Sequence, residues 1–169
     1  MSIMGALSKL TDIVLFFFFL TIALAAPLID GQTVLPLHLY PTFLVDLKSW
    51  YTKEYGDYLV AEKPCFFVGL VWLELLFQWP LSLICLYGLV ASKSWLNTTC
   101  LIYGSSVFTG VVVILADLTG SMRASDTLIK IYFSFLVFSV LVILRGLLSH
   151  SGKSAAIAKR PALNRKKRA

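Results

Sequence analysis

The chain has 169 residues, 58% apolar and 14% charged, with a mean hydropathy of +0.81. Soluble domains carry about a quarter charged residues, so this composition excludes an ordinary soluble fold and indicates one small membrane bundle. The net charge of +6 does not mark a nucleic-acid surface, because Lys153, Lys159, Arg160, Arg165, Lys166, Lys167 and Arg168 all lie in the last 17 residues. A basic tail after the final apolar run is the flank expected beside anionic lipid.

In chain order, the first apolar run predicts a span from Leu10 to Ile29. Ala23-Leu24-Ala25 resembles a signal cleavage site, but Pro27 sits where cleavage is needed and the run exceeds the ~7 to 15 residues of a secretory core. An uncleaved span is the stronger reading. After Pro41 in the following loop, Phe43, Leu47, Trp50, Tyr51 and Glu54 keep helical spacing, with Lys48, Lys53 and Glu54 on the polar side. This predicts a short helix lying on, or capping, one end of the bundle with its aromatics at headgroup level. Gly56-Asp57 ends it, and Asp57 suits the N-cap of a following turn. Further spans are expected at Cys65–Ala91, Leu96–Leu118 and Leu128–Leu148. Each has the ~20 residues a membrane helix needs, and helix is the open choice because backbone polar groups must be satisfied within the segment.

The fold class expected is therefore all-α: an integral membrane four-helix bundle with a short luminal helix in the first loop. Residues 1–152 form the membrane domain and 153–169 a basic cytosolic tail. Four spans put both termini on one side, which Lys9, Lys93 and the tail mark as cytosolic. The Asn97-Thr98-Thr99 sequon then faces the cytosol and is expected to be unused. Lys130 and Arg145 flank the fourth span and are expected to snorkel. Phe16 to Phe19 are expected to face lipid or pack. Cys65, Cys85 and Cys100 form no ligand spacing with His38 or His150, so no metal or cofactor site is expected.

The stretch VWLELLFQWP, residues 71–80, puts an acid inside the second span. Glu74 lies about 13 to 15 Å below the span's luminal end at the helical rise, with Gln78 on the same face one turn on. Asp30 follows Pro27-Leu28-Ile29 at the luminal end of the first span, where proline weakens the ladder and can free carbonyls toward a cavity. An ionisable residue at such depth costs several kcal/mol and is a site by default. Two carboxylates meeting in low dielectric share a proton, which leaves Asp30 the anion and the deeper Glu74 neutral. The competing reading makes Glu74 a hydrogen-bonded strut between helices.

Three motifs carry a resemblance: D-x-Q-x-V-L-P-x-x-L-Y-P from Asp30, W-Y-x-K-E-x-x-D from Trp50, and E-L-x-F-Q-x-P from Glu74. In order and separation they resemble the sigma-2 receptor branch of the EXPERA domain family, which also contains a sterol Δ8–Δ7 isomerase, the emopamil-binding protein. The resemblance implies that Asp30 pairs with a ligand's basic amine and that Glu74 hydrogen-bonds to Asp30. It implies further pocket positions at Gln78, Tyr51, Tyr103, Thr109 and Tyr132, and a structural role for Asp57. Where the family has a threonine in span three this chain has Gly110, beside Thr109, and a span-four tyrosine appears as Phe135, one turn after Tyr132.

The function expected is a membrane receptor-like protein that binds sterols and hydrophobic cationic amines and takes part in cholesterol homeostasis. The alternative is a sterol isomerase that uses the paired acids. No histidine falls within a predicted span to shuttle a proton, which favours binding. The resemblance also implies regulation of a Niemann–Pick-type cholesterol transporter. Tyr103, Gly104, Ser105, Ser106 and Gly110 form a small-residue stripe on span three, which with the resemblance suggests a homodimer. Lys166 and Lys167, fourth and third from the end, resemble a dilysine signal for the endoplasmic reticulum. Nuclear and lysosomal membranes are the alternative locations.

Overall fold

The computed structural model describes residues 3–158, and every regular element among them is helical. Helix α1 (Ile3–Leu28) leads through short 3-10 turns at Asp30–Thr33 and Leu37–Leu39 to α2 (Thr42–Tyr55) and α3 (Tyr58–Glu62). Then come α4 (Cys65–Leu73), a π turn (Glu74–Gln78), α5 (Trp79–Val90), α6 (Leu96–Gly120) and α7 (Asp126–Ala158). Four stretches are long and apolar enough to cross a bilayer: Lys9–Thr33, Cys65–Val90, Leu96–Gly120 and Asp126–Leu147. The chain is a multi-pass membrane four-helix bundle, as its hydropathy indicates. Helix α7 runs six residues past the expected domain end at 152, and the rest of the basic tail, 159–169 with Lys166 and Lys167, lies outside the described residues.

The second span is continuous from α4 to α5 but carries the π turn at its middle. Pro80 accounts for it. Proline has no N–H for the Leu76 carbonyl, and its ring crowds that oxygen. The turn before it therefore widens, and the Trp79 N–H bonds to Glu74 O, five residues back.

Helices α6 and α7 form the most extensive pairing, and α1 packs chiefly on α5. The close approach of α6 and α7 needs two glycines. A Cβ on Gly104 would lie 2.8 Å from Ile143 Cγ1, and one on Gly146 would lie 2.8 Å from Asn97 O. Part of the small-residue stripe expected to serve a homodimer is thus engaged inside the bundle, while Ser105 is exposed. Gly104 meets α7, and Ser106 Oγ accepts a 3.0 Å hydrogen bond from Gln78 Nε2. Phe18 and Phe19 are core residues, whereas Phe17 is exposed. Cys85 and Cys100 are buried in the same core, as packing residues would be.

Two polar clusters mark the two ends of the bundle. At the end holding both termini, Arg145 departs from the snorkelling expectation. Its Nε donates to Asp12 Oδ1 at 2.5 Å and its Nη1 to Asn97 Oδ1 at 3.0 Å, tying α7 to α1 and α6. The reason is that α1 places a carboxylate within hydrogen-bond reach of the guanidinium. The same bond leaves Asn97 buried and occupied, so the sequon asparagine is not presented to solvent.

At the opposite end, the 29–64 connection folds over the bundle. Glu62 and Arg123 form an exposed ion pair there, and Arg123 lies over the Tyr58 ring, 4.3 Å from its centroid. Tyr58 Oη donates to Asp117 Oδ2 at 2.5 Å, joining α3 to the end of α6. Helix α2 lies over this end inside out. Phe43 is 67% exposed, Leu47 and Trp50 are exposed as well, and Lys48 is only 9% exposed. The expected polar face is corrected on this point: Lys53 and Glu54 are exposed, but Lys48 turns inward. An apolar face that meets lipid need not meet protein, so the aqueous rule of apolar-in is reversed.

Candidate functional site

The site begins where α1 ends. The last carbonyls of a helix have no partner in their own ladder. Here each of three finds a side chain: Tyr40 Oη donates to Pro27 O at 3.0 Å, Gln32 Nε2 to Leu28 O at 2.7 Å, and Lys48 Nζ to Ile29 O at 2.9 Å. The terminal carbonyls are thus capped by the loop, and Ala23 O, which Pro27 leaves without a ladder donor, accepts from Trp79 Nε1 at 3.0 Å, so these carbonyls do not face a cavity as the sequence had suggested. The D-x-Q and L-Y-P letters gain a physical meaning from this. Gly31 is needed between them, since a Cβ there would lie 2.6 Å from Tyr40 Oη.

With its carbonyls engaged, the turn at Asp30–Thr33 directs the Asp30 carboxylate into a cavity walled by all four spans. The π turn contributes Glu74 and Gln78 to the same wall, α6 contributes Tyr103 and Gly110, and α7 contributes Tyr132 and Phe135. Phe18, Ile22, Phe67 and Val71 make the remainder largely apolar. The cavity has a volume of about 170 Å³ and is partly open. It lies where the two halves of the core meet, so neither packs across it.

The expected site residues separate into two groups. Asp30, Glu74, Gln78, Tyr103 and Tyr132 share the cavity wall. Thr109 does not. It is exposed on α6 and donates to its own Ser105 carbonyl at 2.9 Å, while its neighbour Gly110 faces the cavity. One residue along a helix is about 100° of rotation, enough to exchange wall for lipid. Tyr51 stands outside the wall, its ring 5.0 Å from that of Tyr55. Burial, then the charges of Asp57 and Asp30, pushes its phenol up to about 12. The expected bond between Glu74 and Asp30 is also absent: among the described residues no hydrogen bond joins the two carboxyl groups, although both face one space.

Asp57 caps α3, its Oδ1 accepting from the Leu59 and Val60 amides at 3.1 and 3.2 Å. Its Oδ2 accepts from Tyr132 Oη at 3.0 Å, which pins one cavity residue to the loop. Burial raises the Asp57 carboxyl above its ordinary range, against the pull of those amides.

Sequence reasoning missed Lys48. Its ammonium donates to Thr33 Oγ1 at 2.6 Å as well as to Ile29 O. Burial lowers it to about 8, opposed first by the attraction of Asp30 and then by Asp57 and Glu74. Spacing carried no clear signal, because the residues beside Lys48, Leu47 and Ser49, are both exposed.

Comparison with known proteins places the chain among relatives. The model of the EXPERA family (EXPanded EBP superfamily) matches residues 43–146. The sigma intracellular receptor 2 of Xenopus tropicalis is 31% identical over 159 residues, covering 86% of this chain and 93% of that protein. Those of Homo sapiens and Macaca fascicularis are 39% identical over 88 residues, covering 52% of this chain and 50% of each relative.

Proposed function

The chain belongs to the EXPERA family, and from that premise we propose that it is a receptor-like membrane protein binding sterols and hydrophobic cationic amines within its bundle. The observation that carries this reading is the cavity itself: two carboxylates facing one apolar, aromatic space inside a membrane protein, with no bond between them. Asp30 supplies the negative charge for an ammonium, and Glu74 and Gln78 offer hydrogen bonds deeper in. Tyr103 and Phe18 supply aromatic surface. The enclosed part is smaller than the ~300 to 1,000 Å³ of drug-sized pockets. By this reading a sterol places its polar end against the acids, and its body extends beyond the cavity.

By the same reading the protein serves cholesterol homeostasis, through a Niemann–Pick-type transporter, in the endoplasmic reticulum membrane with both termini cytosolic. Lys166 and Lys167 are the retrieval signal of this proposal. A homodimer rests on family likeness alone, since Gly104 and Ser106 are occupied within the bundle.

The test is direct. The purified full chain in lipid nanodiscs is titrated with a hydrophobic tertiary amine and a photoreactive cholesterol analogue, and crosslinked peptides are mapped. Labels on α1, the π turn and α6 support the reading; labels confined to the lipid-facing surface sink it. Expression in cells lacking the Δ8–Δ7 isomerase, followed by sterol analysis, decides the enzyme alternative, for which restored Δ7 sterols are the mark.

A further inference from the structure

A positive charge of the protein's own stands behind the Asp30 turn, outside the cavity wall but bonded to the residues that flank Asp30. Lys48 comes from α2, which exposes its apolar side chains and turns this one inward. The ammonium has three N–H groups, and two are held by Ile29 O and Thr33 Oγ1, on either side of Asp30 in the chain. Asp30 is the charge that attracts it most, followed by Asp57 and Glu74. Yet among the described residues Lys48 makes no ion-pair contact with a carboxylate. It stands in the field of the acids without consuming them.

We propose that Lys48 is a specificity-determining residue of this pocket: a resident cation that disfavours ammonium ligands and biases the site toward neutral, hydroxyl-bearing lipids of the sterol class. This rests on the reading of the cavity as a ligand pocket. An ammonium brought to Asp30 comes to rest near a second ammonium in a poorly screened space, and like charges so placed cost affinity. A hydroxyl meets no such repulsion. It can donate to the Asp30 carboxylate without bringing a second positive charge beside Lys48. At neutral pH Lys48 retains its proton, since burial lowers it only to about 8. The bland alternative is that Lys48 merely ties off the C-terminus of α1, where a cation suits the helix dipole.

A ratio separates the two. Full-length wild type, Lys48→Met and Lys48→Arg, in nanodiscs of one lipid composition, are titrated at pH 7 with a hydrophobic quaternary ammonium and with a photoreactive cholesterol analogue. The expected result is an ammonium-to-sterol affinity ratio about tenfold or more higher in Lys48→Met, with Lys48→Arg close to wild type. An unchanged ratio in Lys48→Met overturns the inference and leaves Lys48 a helix-end tie. Loss of both ligands in Lys48→Met while Lys48→Arg binds normally overturns it too, because that marks a structural need for the cation. Wild type that binds neither probe overturns the pocket reading itself, and the inference falls with it.

Discussion

Buried charge occurs at both ends of this bundle, and the two ends treat it differently. At the end holding both termini, Arg145, Asp12 and Asn97 satisfy one another, with the arginine and aspartate side chains 16% and 36% exposed. At the other end Asp30 and Glu74 face a shared space, and the nearby Lys48 spends two of its hydrogen bonds on a helix terminus. The first cluster is closed and the second is open. A closed cluster holds helices together; an open one retains the capacity to bind. Saturation is what distinguishes the strut from the site.

The largest effect should come from the open end. Asp30→Asn removes the negative charge an ammonium needs, and ammonium affinity should fall by about 100-fold or more, ~3 kcal/mol. Thermal stability should hold or rise, since a carboxylate facing a cavity is a cost to the fold. Parallel ligand titration and melting curves check both. A drop in melting temperature with intact binding would erase the distinction between the two ends.

Next in size is the closed end. Arg145→Met leaves Asp12 without its cation and should cost on the order of 2 to 3 kcal/mol of stability, with ligand affinity unchanged. Adding Asp12→Leu should recover most of that loss, because replacing both partners removes the stranded charge. If the double variant melts lower than the single, the pair contributes more than its desolvation costs.

Smaller again is Glu74→Gln, which keeps shape and most hydrogen bonding. Its ammonium penalty should be about 1.5 to 3 kcal/mol, below that of Asp30→Asn. Equal penalties for the two acids would mean that they act as one unit, and the ranking above would be wrong.

The smallest expected effect is in pH. Lys48 is surrounded by Asp30 on α1's terminal turn, Glu74 in the second span, Asp57 and Lys63 in the connection, and Tyr51 on its own helix. Burial holds Lys48 to about 8, below an ordinary lysine, and Tyr51 at about 12 lies above the window. As pH rises from 7 to 9 Lys48 loses its charge, so affinity for a quaternary ammonium, whose own charge is fixed, should rise a few-fold. The rise should persist in Glu74→Gln and vanish in Lys48→Met. A rise that follows Glu74 instead assigns the titration to the acid.

The sequence disclosed much of this and missed the rest for identifiable reasons. Four spans and two intramembrane acids were legible because hydrocarbon admits so few alternatives. Asp57 as a cap was legible because capping is local. Lys48 was not, since an interfacial helix was expected to keep it with Lys53 and Glu54 on the polar side, and the bonds that draw it inward come from Ile29 and Thr33 on another element. Arg145 was read as a flank because its partner Asp12 is 133 residues away. Thr109 was chosen over Gly110 by chemistry, and the register of α6 decided otherwise. Gly104 and Ser106 showed that small residues were needed, but not which helix needed them.

The π turn has a consequence in phase. A π turn arises where an α-helix takes in one residue more than its ladder holds, and one residue is worth about 100° of rotation. The second span thus behaves as two helices set out of step at Glu74–Gln78. Its α4 half is rotated so that Phe67 and Val71 reach one part of the core, while its α5 half sends Cys85 and Ser82 into another. A change of length by one residue between Glu74 and Pro80 would bring the halves back into step. Nearly every letter of the span would survive, and so would its hydropathy. What would be lost is the agreement about which way is in, and with it the aim of the only acid the second span owns.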